Sequence, residues 1–238
     1  MILDAPGWAV LVAALAAGGG LALRRRLQLL SYRTEREATT SAPGPRWWVV
    51  PLLGALAWLL TVRVSQEAAL SVPARAVLLL TLVLVAAGCV ALAAIDLDVH
   101  RLPDRLVAGC AGVLVAGLGV VALLGAGVEP WSRSVLCALA SGALYLLLAL
   151  LSLARGSWGV GLGDVKLSML LGAALGWFGA LNEVIGIYAG FLVGGAVALG
   201  LLLTRRVSVG DHLAYGPAMM LGALVGVMLP ADIVPPLF

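Results

Sequence analysis

Charge is scarce in this chain: Asp, Glu, Lys and Arg together make up 11% of its 238 residues, where a soluble domain carries roughly 25%. So few charges cannot cover the surface of a water-soluble fold, and a composition that is 62% hydrophobic points to lipid as the solvent. Histidine is nearly missing. His100 and His212 are the only two, too few for a histidine-rich metal centre, and no Ser or Cys stands in a recognisable nucleophile setting. The three cysteines, Cys89, Cys110 and Cys137, are odd in number, far apart and set among Val, Leu, Ala and Gly. They form neither a disulfide framework nor a metal-ligand spacing and are expected to pack. No Lys or Arg precedes the first apolar run, so the basic region of a cleaved signal peptide is lacking. The positive charges follow that run instead, at Arg24, Arg25 and Arg26, and the expectation is an uncleaved first span with its N-terminus outside. A pI near 9.0 in such a chain reports topology rather than a nucleic-acid partner.

What is present is apolar length. A bilayer core of ~30 Å needs roughly 17 to 25 apolar residues per helix, and runs of that kind recur at residues 7–23, 47–62, 72–95, 106–127, 135–154, 165–181, 185–203 and 215–229. The fold class expected is all-α, a polytopic transmembrane bundle of eight spans. Seven is the alternative, because the polar break at Asn182 and Glu183 is thin. With the N-terminus outside, twelve of the fifteen Lys and Arg residues fall on inner segments and only Arg63, Arg75 and Arg133 on outer ones, as the positive-inside rule requires. Residues 1–70 read as a two-span region with a short cytoplasmic loop, and 71–238 as a six-span core. Small residues recur every fourth position at Gly186, Gly190, Gly194 and Ala198, at Gly172 and Gly176, and at Gly222 and Gly226. Such ladders let helices approach closely in lipid and need no ligand.

Five acids fall on the inner side near span ends: Asp96, Asp98, Asp104, Asp164 and Asp211. Each alone reads as a solvated interfacial charge, and two contexts shift that reading. An apolar helix runs straight into Asp96, where loss of water raises a carboxyl pKa and keeps a proton available. Asp98, two positions on, cannot share the helical face of Asp96 if the helix continues. Pro103 is expected to start the next helix, placing Asp104 in its first turn as a dipole partner. The second context is Gly161-Leu162-Gly163-Asp164-Val165-Lys166. Two glycines beside an aspartate permit close approach of a peptide, while the bland reading makes Asp164 an N-cap. Lys166 either anchors at headgroups or tunes a neighbouring acid. The topology puts Asp96 and Asp164 at one membrane face. Two carboxyls sharing a proton there would activate water against a peptide carbonyl, or, in a rival reading, bind a cation or relay protons in a transporter.

At these residues the chain resembles the type IV prepilin peptidases. Ile95-Asp96 followed by Leu102-Pro103-Asp104 looks like the family's first aspartate block. Gly161 to Leu167 looks like its second, the GxGD signature with the lysine after it, and Tyr215-Gly216-Pro217 is similar to a turn near the family's C-terminus. The resemblance implies a bacterial inner-membrane aspartic endopeptidase, active at the cytoplasmic face, that cuts the basic leader from prepilins or pseudopilins after a glycine. Asp96 and Asp164 match its catalytic pair, with Asp104, Lys166, Gly161, Gly163 and Pro103 in supporting or substrate-binding positions. Bifunctional members carry paired CxxC motifs in a larger first loop and methylate the new terminus with S-adenosylmethionine. Residues 24–46 here contain no cysteine, so neither that cofactor nor a metal is expected. Presenilin-type proteases also use GxGD but pair it with a Tyr-Asp dipeptide, which does not occur in this chain.

Overall fold

The computed structural model describes residues 5–34, 43–154, 161–205 and 214–229. Every regular element in them is helical. Asp211 and His212 lie outside the described residues. By packing, the chain divides into two compact units, Met1–Ala126 and Gly127–Phe238.

The first unit contains α1 (Ala5–Gln28), α2 (Val49–Ser65), α3 (Val72–Val99) and α4 (Asp104–Val121), the last followed by a π-helical turn, Ala122–Ala126. Helix α3 starts where Ser71 caps the Ala74 amide and Pro73 occupies the first turn, whose amides need no helical partner. It ends at His100, which adopts left-handed geometry (φ 50°, ψ 41°) and donates its amide to the Asp96 carbonyl. Helix α3 is wedged against α1 and α2, with Leu27, Val49, Leu53 and Ala57 packing on Val90, Ala91, Ala94 and Ile95. Between the units the chain turns through Gly125 (φ 111°) and Gly127 (φ 81°), where a side chain would be strained.

The second unit contains α5 (Val128–Ala154), α6 (Leu162–Phe178), α7 (Ala180–Leu203) and α8 (Gly216–Met228). The glycine ladders are its seams. A Cβ at Gly172 would stand 2.4 Å from Ser141 Oγ and one at Gly176 would stand 2.5 Å from Cys137 Cβ, so α6 rides directly on α5. Gly186 and Gly190 of α7 meet Gly222 and Gly226 of α8 in the same way. At one end Arg133 of α5 donates to the carbonyls of Gly176 and Trp177, both at 2.8 Å, placing a cation at the negative end of the α6 dipole.

Five described helices are long and apolar enough to cross a membrane: Gly7–Gln28, Val72–Val99, Asp104–Ala126, Val128–Ala154 and Ala180–Leu203. Val49–Ser65 and Gly216–Met228 are apolar but shorter. Each of the eight apolar runs has become one helix. Most boundaries shift by one to seven residues, and two of the shifts place polar residues inside helices. The break between the sixth and seventh runs lies at Gly179 rather than at Asn182 and Glu183, both of which are helical and buried. Asn182 Nδ2 donates to the carbonyls of Gly226 (2.9 Å) and Leu229 (3.3 Å), and Ser141 Oγ lies 2.5 Å from Glu183 Oε1. Polar residues that look like a loop in sequence are thus satisfied inside the bundle. Helix α3 also runs four residues past the expected end, through Asp96 and Asp98 to Val99.

Candidate active site

Asp96 sits in the last turn of α3 and is 6% exposed. An apolar helix therefore carries this carboxyl into a buried position, as its direct entry from Ile95 implies. Leu102 is buried, and Pro103 (φ −64°, ψ 120°) is the N-cap of α4 rather than a residue of its first turn. Asp104 is the first residue of that helix and is exposed, at the positive end of the dipole as expected.

In the second unit α6 begins three residues before the expected span, at Leu162, with Gly161 as its N-cap. Asp164 is therefore not the cap. It holds the third helical position and reaches back so that its Oδ2 accepts the Gly161 amide at 3.0 Å. That bond fixes the half-buried carboxylate against its own loop, in the way the glutamate of a capping box is fixed. Gly163 is half-buried between them, while Gly161 and Lys166 are exposed. The hydroxyl-bearing rings of Tyr145 and Tyr215 lie within electrostatic range of Asp164. They belong to a small aromatic stack in which Phe191 faces Tyr145 at 5.7 Å and Tyr215 at 6.0 Å. The candidate residues thus divide by unit, with Asp96, Pro103 and Asp104 in the first and Gly161, Gly163, Asp164 and Lys166 in the second.

One group of residues was not singled out by sequence reasoning. The Asp98 carboxylate, 7% exposed, pairs with Arg33 through Nη2–Oδ1 (2.6 Å) and Nε–Oδ2 (3.0 Å) and with Arg46 Nη2 at 3.2 Å. Tyr32 donates its hydroxyl to Asp98 Oδ2 at 2.5 Å and accepts from Arg46 Nη2 at 2.6 Å. Arg46 also donates to the carbonyls of Leu27 (3.1 Å) and Ala94 (3.2 Å), and Arg101 to that of Tyr32 at 3.0 Å. The signal available in sequence was the concentration of arginines in the α1–α2 loop on the same expected face as Asp98.

Burial first, and then the hydrogen bond to Asp98, push the Tyr32 phenol above its ordinary pKa. A group whose pKa is raised on folding contributes stability that is complete below its unfolded value, about 10 for a phenol, and is lost as pH climbs through the folded value. Thermal unfolding followed from neutral to alkaline pH should therefore show a stability decline starting near pH ~10 that is shallower in a Tyr32→Phe chain. A Tyr32 that ionises at its ordinary pH in an ultraviolet titration would contradict this placement.

Apolar helices in both units define a polytopic membrane protein, with the carboxyls of Asp96 and Asp164 held in terminal turns of helices. The chain belongs to the type IV leader peptidase family, whose sequence profile matches residues 79–231 and so takes in Asp96, Asp164 and Tyr215. It is 33% identical over 204 residues to the prepilin leader peptidase/N-methyltransferase of Aeromonas hydrophila, covering 85% of this chain and 66% of that one. A protein of the same description from Aeromonas salmonicida (strain A449) is 36% identical over 179 residues, 75% of this chain and 57% of its own. One from Neisseria gonorrhoeae is 34% identical over 131 residues, 55% and 42% respectively. The chain therefore spans between 42% and 66% of the length of these curated relatives. No solved structure matches it.

Proposed function

We propose that this chain is an aspartic endopeptidase of the bacterial inner membrane that removes the basic leader from prepilins or pseudopilins at the cytoplasmic face. The observation that carries the reading is the placement of two carboxyls inside the family-matched region: Asp96 buried in the last turn of α3 and Asp164 fixed in the first turn of α6. In the reaction, the two aspartates share one proton. The ionised member takes a proton from water as that water attacks the scissile carbonyl; the protonated member stabilises the oxyanion and then donates to the departing nitrogen. The pair titrates as a unit, so the roles belong to the dyad rather than to either residue. The exposed N-cap Gly161, where a Cβ would meet nothing nearer than the Asp164 carboxyl at 3.7 Å, leaves room for a peptide backbone beside Asp164. A transporter would place its acids near mid-membrane in broken helices, whereas both aspartates stand in terminal turns of continuous ones.

The absence of cysteine from residues 24–46 supports peptidase activity without S-adenosylmethionine-dependent methylation and without a resident metal. The test is reconstitution of the full chain in phospholipid vesicles with a purified prepilin and S-adenosylmethionine, followed by mass spectrometry of the product. The expected product begins at the residue after the leader's final glycine and carries an unmethylated amine. An uncut substrate, or one cut elsewhere, contradicts the peptidase reading, and a methylated product contradicts the cofactor reading.

A further inference from the structure

Water activation makes no use of Tyr32, Arg33, Arg46 or Asp98, yet their polar atoms converge on the last turn of α3. That turn carries two features that are unfavourable when taken alone. An acid near a helix C-terminus opposes the dipole, and His100 takes left-handed geometry (φ 50°) without being glycine. The left-handed cap lets the His100 amide reach the Asp96 carbonyl, and the acid is accommodated because two guanidiniums from the α1–α2 loop meet it. One of them, Arg46, also grips the Ala94 carbonyl within α3.

The face matters as much as the charge. At about 100° per residue, position 98 lies ~200° from position 96, so the arginines hold α3 from the side away from Asp96. Their own side chains are enclosed, with Arg33 at 4% and Arg46 at 6% exposure, and the Arg33 contact is a two-bond fork that fixes orientation as well as distance. A helix end gripped in this way cannot rotate or fray without breaking several charged hydrogen bonds together.

We infer that the Tyr32–Arg33–Arg46–Asp98 cluster is a positioning device, which fixes the rotation and height of the last turn of α3 and thereby presents Asp96 to its reaction partner. The inference rests on the reading of Asp96 as a reacting carboxyl. It assigns the α1–α2 loop a place in the peptidase itself, as a strut behind that group, and Asp98, Arg33, Arg46 and Tyr32 act through Asp96 rather than on substrate.

The experiment measures kcat and KM for prepilin cleavage by the full chain in vesicles, normalised to folded protein, for Asp98→Asn, Arg33→Gln, Arg33→Lys and Asp96→Asn. A displacement of about 1 Å at a reacting group costs up to ~100-fold in rate. Asp98→Asn and Arg33→Gln should therefore lose about 10- to 100-fold in kcat, with KM changed by no more than about twofold. Arg33→Lys keeps the charge but not the fork and should fall between these and the unsubstituted chain. Should Asp98→Asn fail to accumulate, the comparison of Arg33→Lys with Arg33→Gln supplies the same test. An unchanged kcat per folded molecule, or a loss confined to KM, overturns the positioning role. Full cleavage by Asp96→Asn instead overturns the catalytic assignment beneath it, and the two failures are told apart by which variant stays active.

Discussion

Asn in place of Asp164 should leave a chain that inserts and accumulates normally but cleaves prepilin at least ~100-fold more slowly, since general acid–base groups contribute about 10² to 10⁴ in rate. The substitution keeps the size of the side chain and an oxygen able to accept the Gly161 amide, so the start of α6 should survive. What it removes is the ability to exchange a proton with water. Asp96→Asn should be equally damaging, because neither member of a dyad works without the other. The double variant should be little worse than either single one, as happens when residues act as a unit. Cleavage assays on matched amounts of membrane-inserted protein decide the matter. Near-normal processing by either variant would remove that residue from the chemistry.

A methyl group at Gly222 should have the largest effect on stability. Its Cβ would lie 2.3 Å from Gly190 N, 2.4 Å from Gly186 O and 2.5 Å from Gly190 Cα. All three are backbone atoms, so no rotamer change relieves the clash and α7 must move away from α8. Overpacking of this kind costs typically 1–3 kcal/mol, roughly, against a helix-propensity gain of about 1 kcal/mol for Gly→Ala. Gly222→Ala should therefore lower the thermal midpoint in detergent. Gly109→Ala and Gly112→Ala, where nothing lies within 4 Å of the new carbon, should leave it unchanged or raise it. Equal midpoints for Gly222→Ala and the unsubstituted chain would mean that α7 and α8 are not in backbone contact.

Those glycines were visible in the sequence because the fourfold spacing is a local pattern, and the seams of the second unit lie where it put them. Local chemistry likewise placed Asp104 in a first turn and Asp96 at the end of an apolar helix. Neither the first-turn position of Asp164 nor its reach back to Gly161 was legible, since the span is expected to start at Val165 and the bland reading makes Asp164 the cap. Distance along the chain hid the rest. Arg33 and Asp98 are 65 residues apart, and nothing local to either announces the other. Asn182 and Glu183 marked a loop by polarity, yet their partners, Ser141, Gly226 and Leu229, come from α5 and the end of α8. In lipid a polar side chain is as often a tie between helices as an exit to water. Only the packed bundle distinguishes the two.

The most direct measurement is intramolecular cross-linking between cysteines placed at 96 and 164, with Cys89, Cys110 and Cys137 replaced by alanine. Helices that bring two carboxyls onto one water pack at about 8–10 Å, so a short thiol-reactive bridge should join the pair rapidly within one polypeptide, as it should a control pair at 33 and 98. If the control pair closes while 96 and 164 never join, with or without bound prepilin, the two aspartates do not meet and the dyad does not exist.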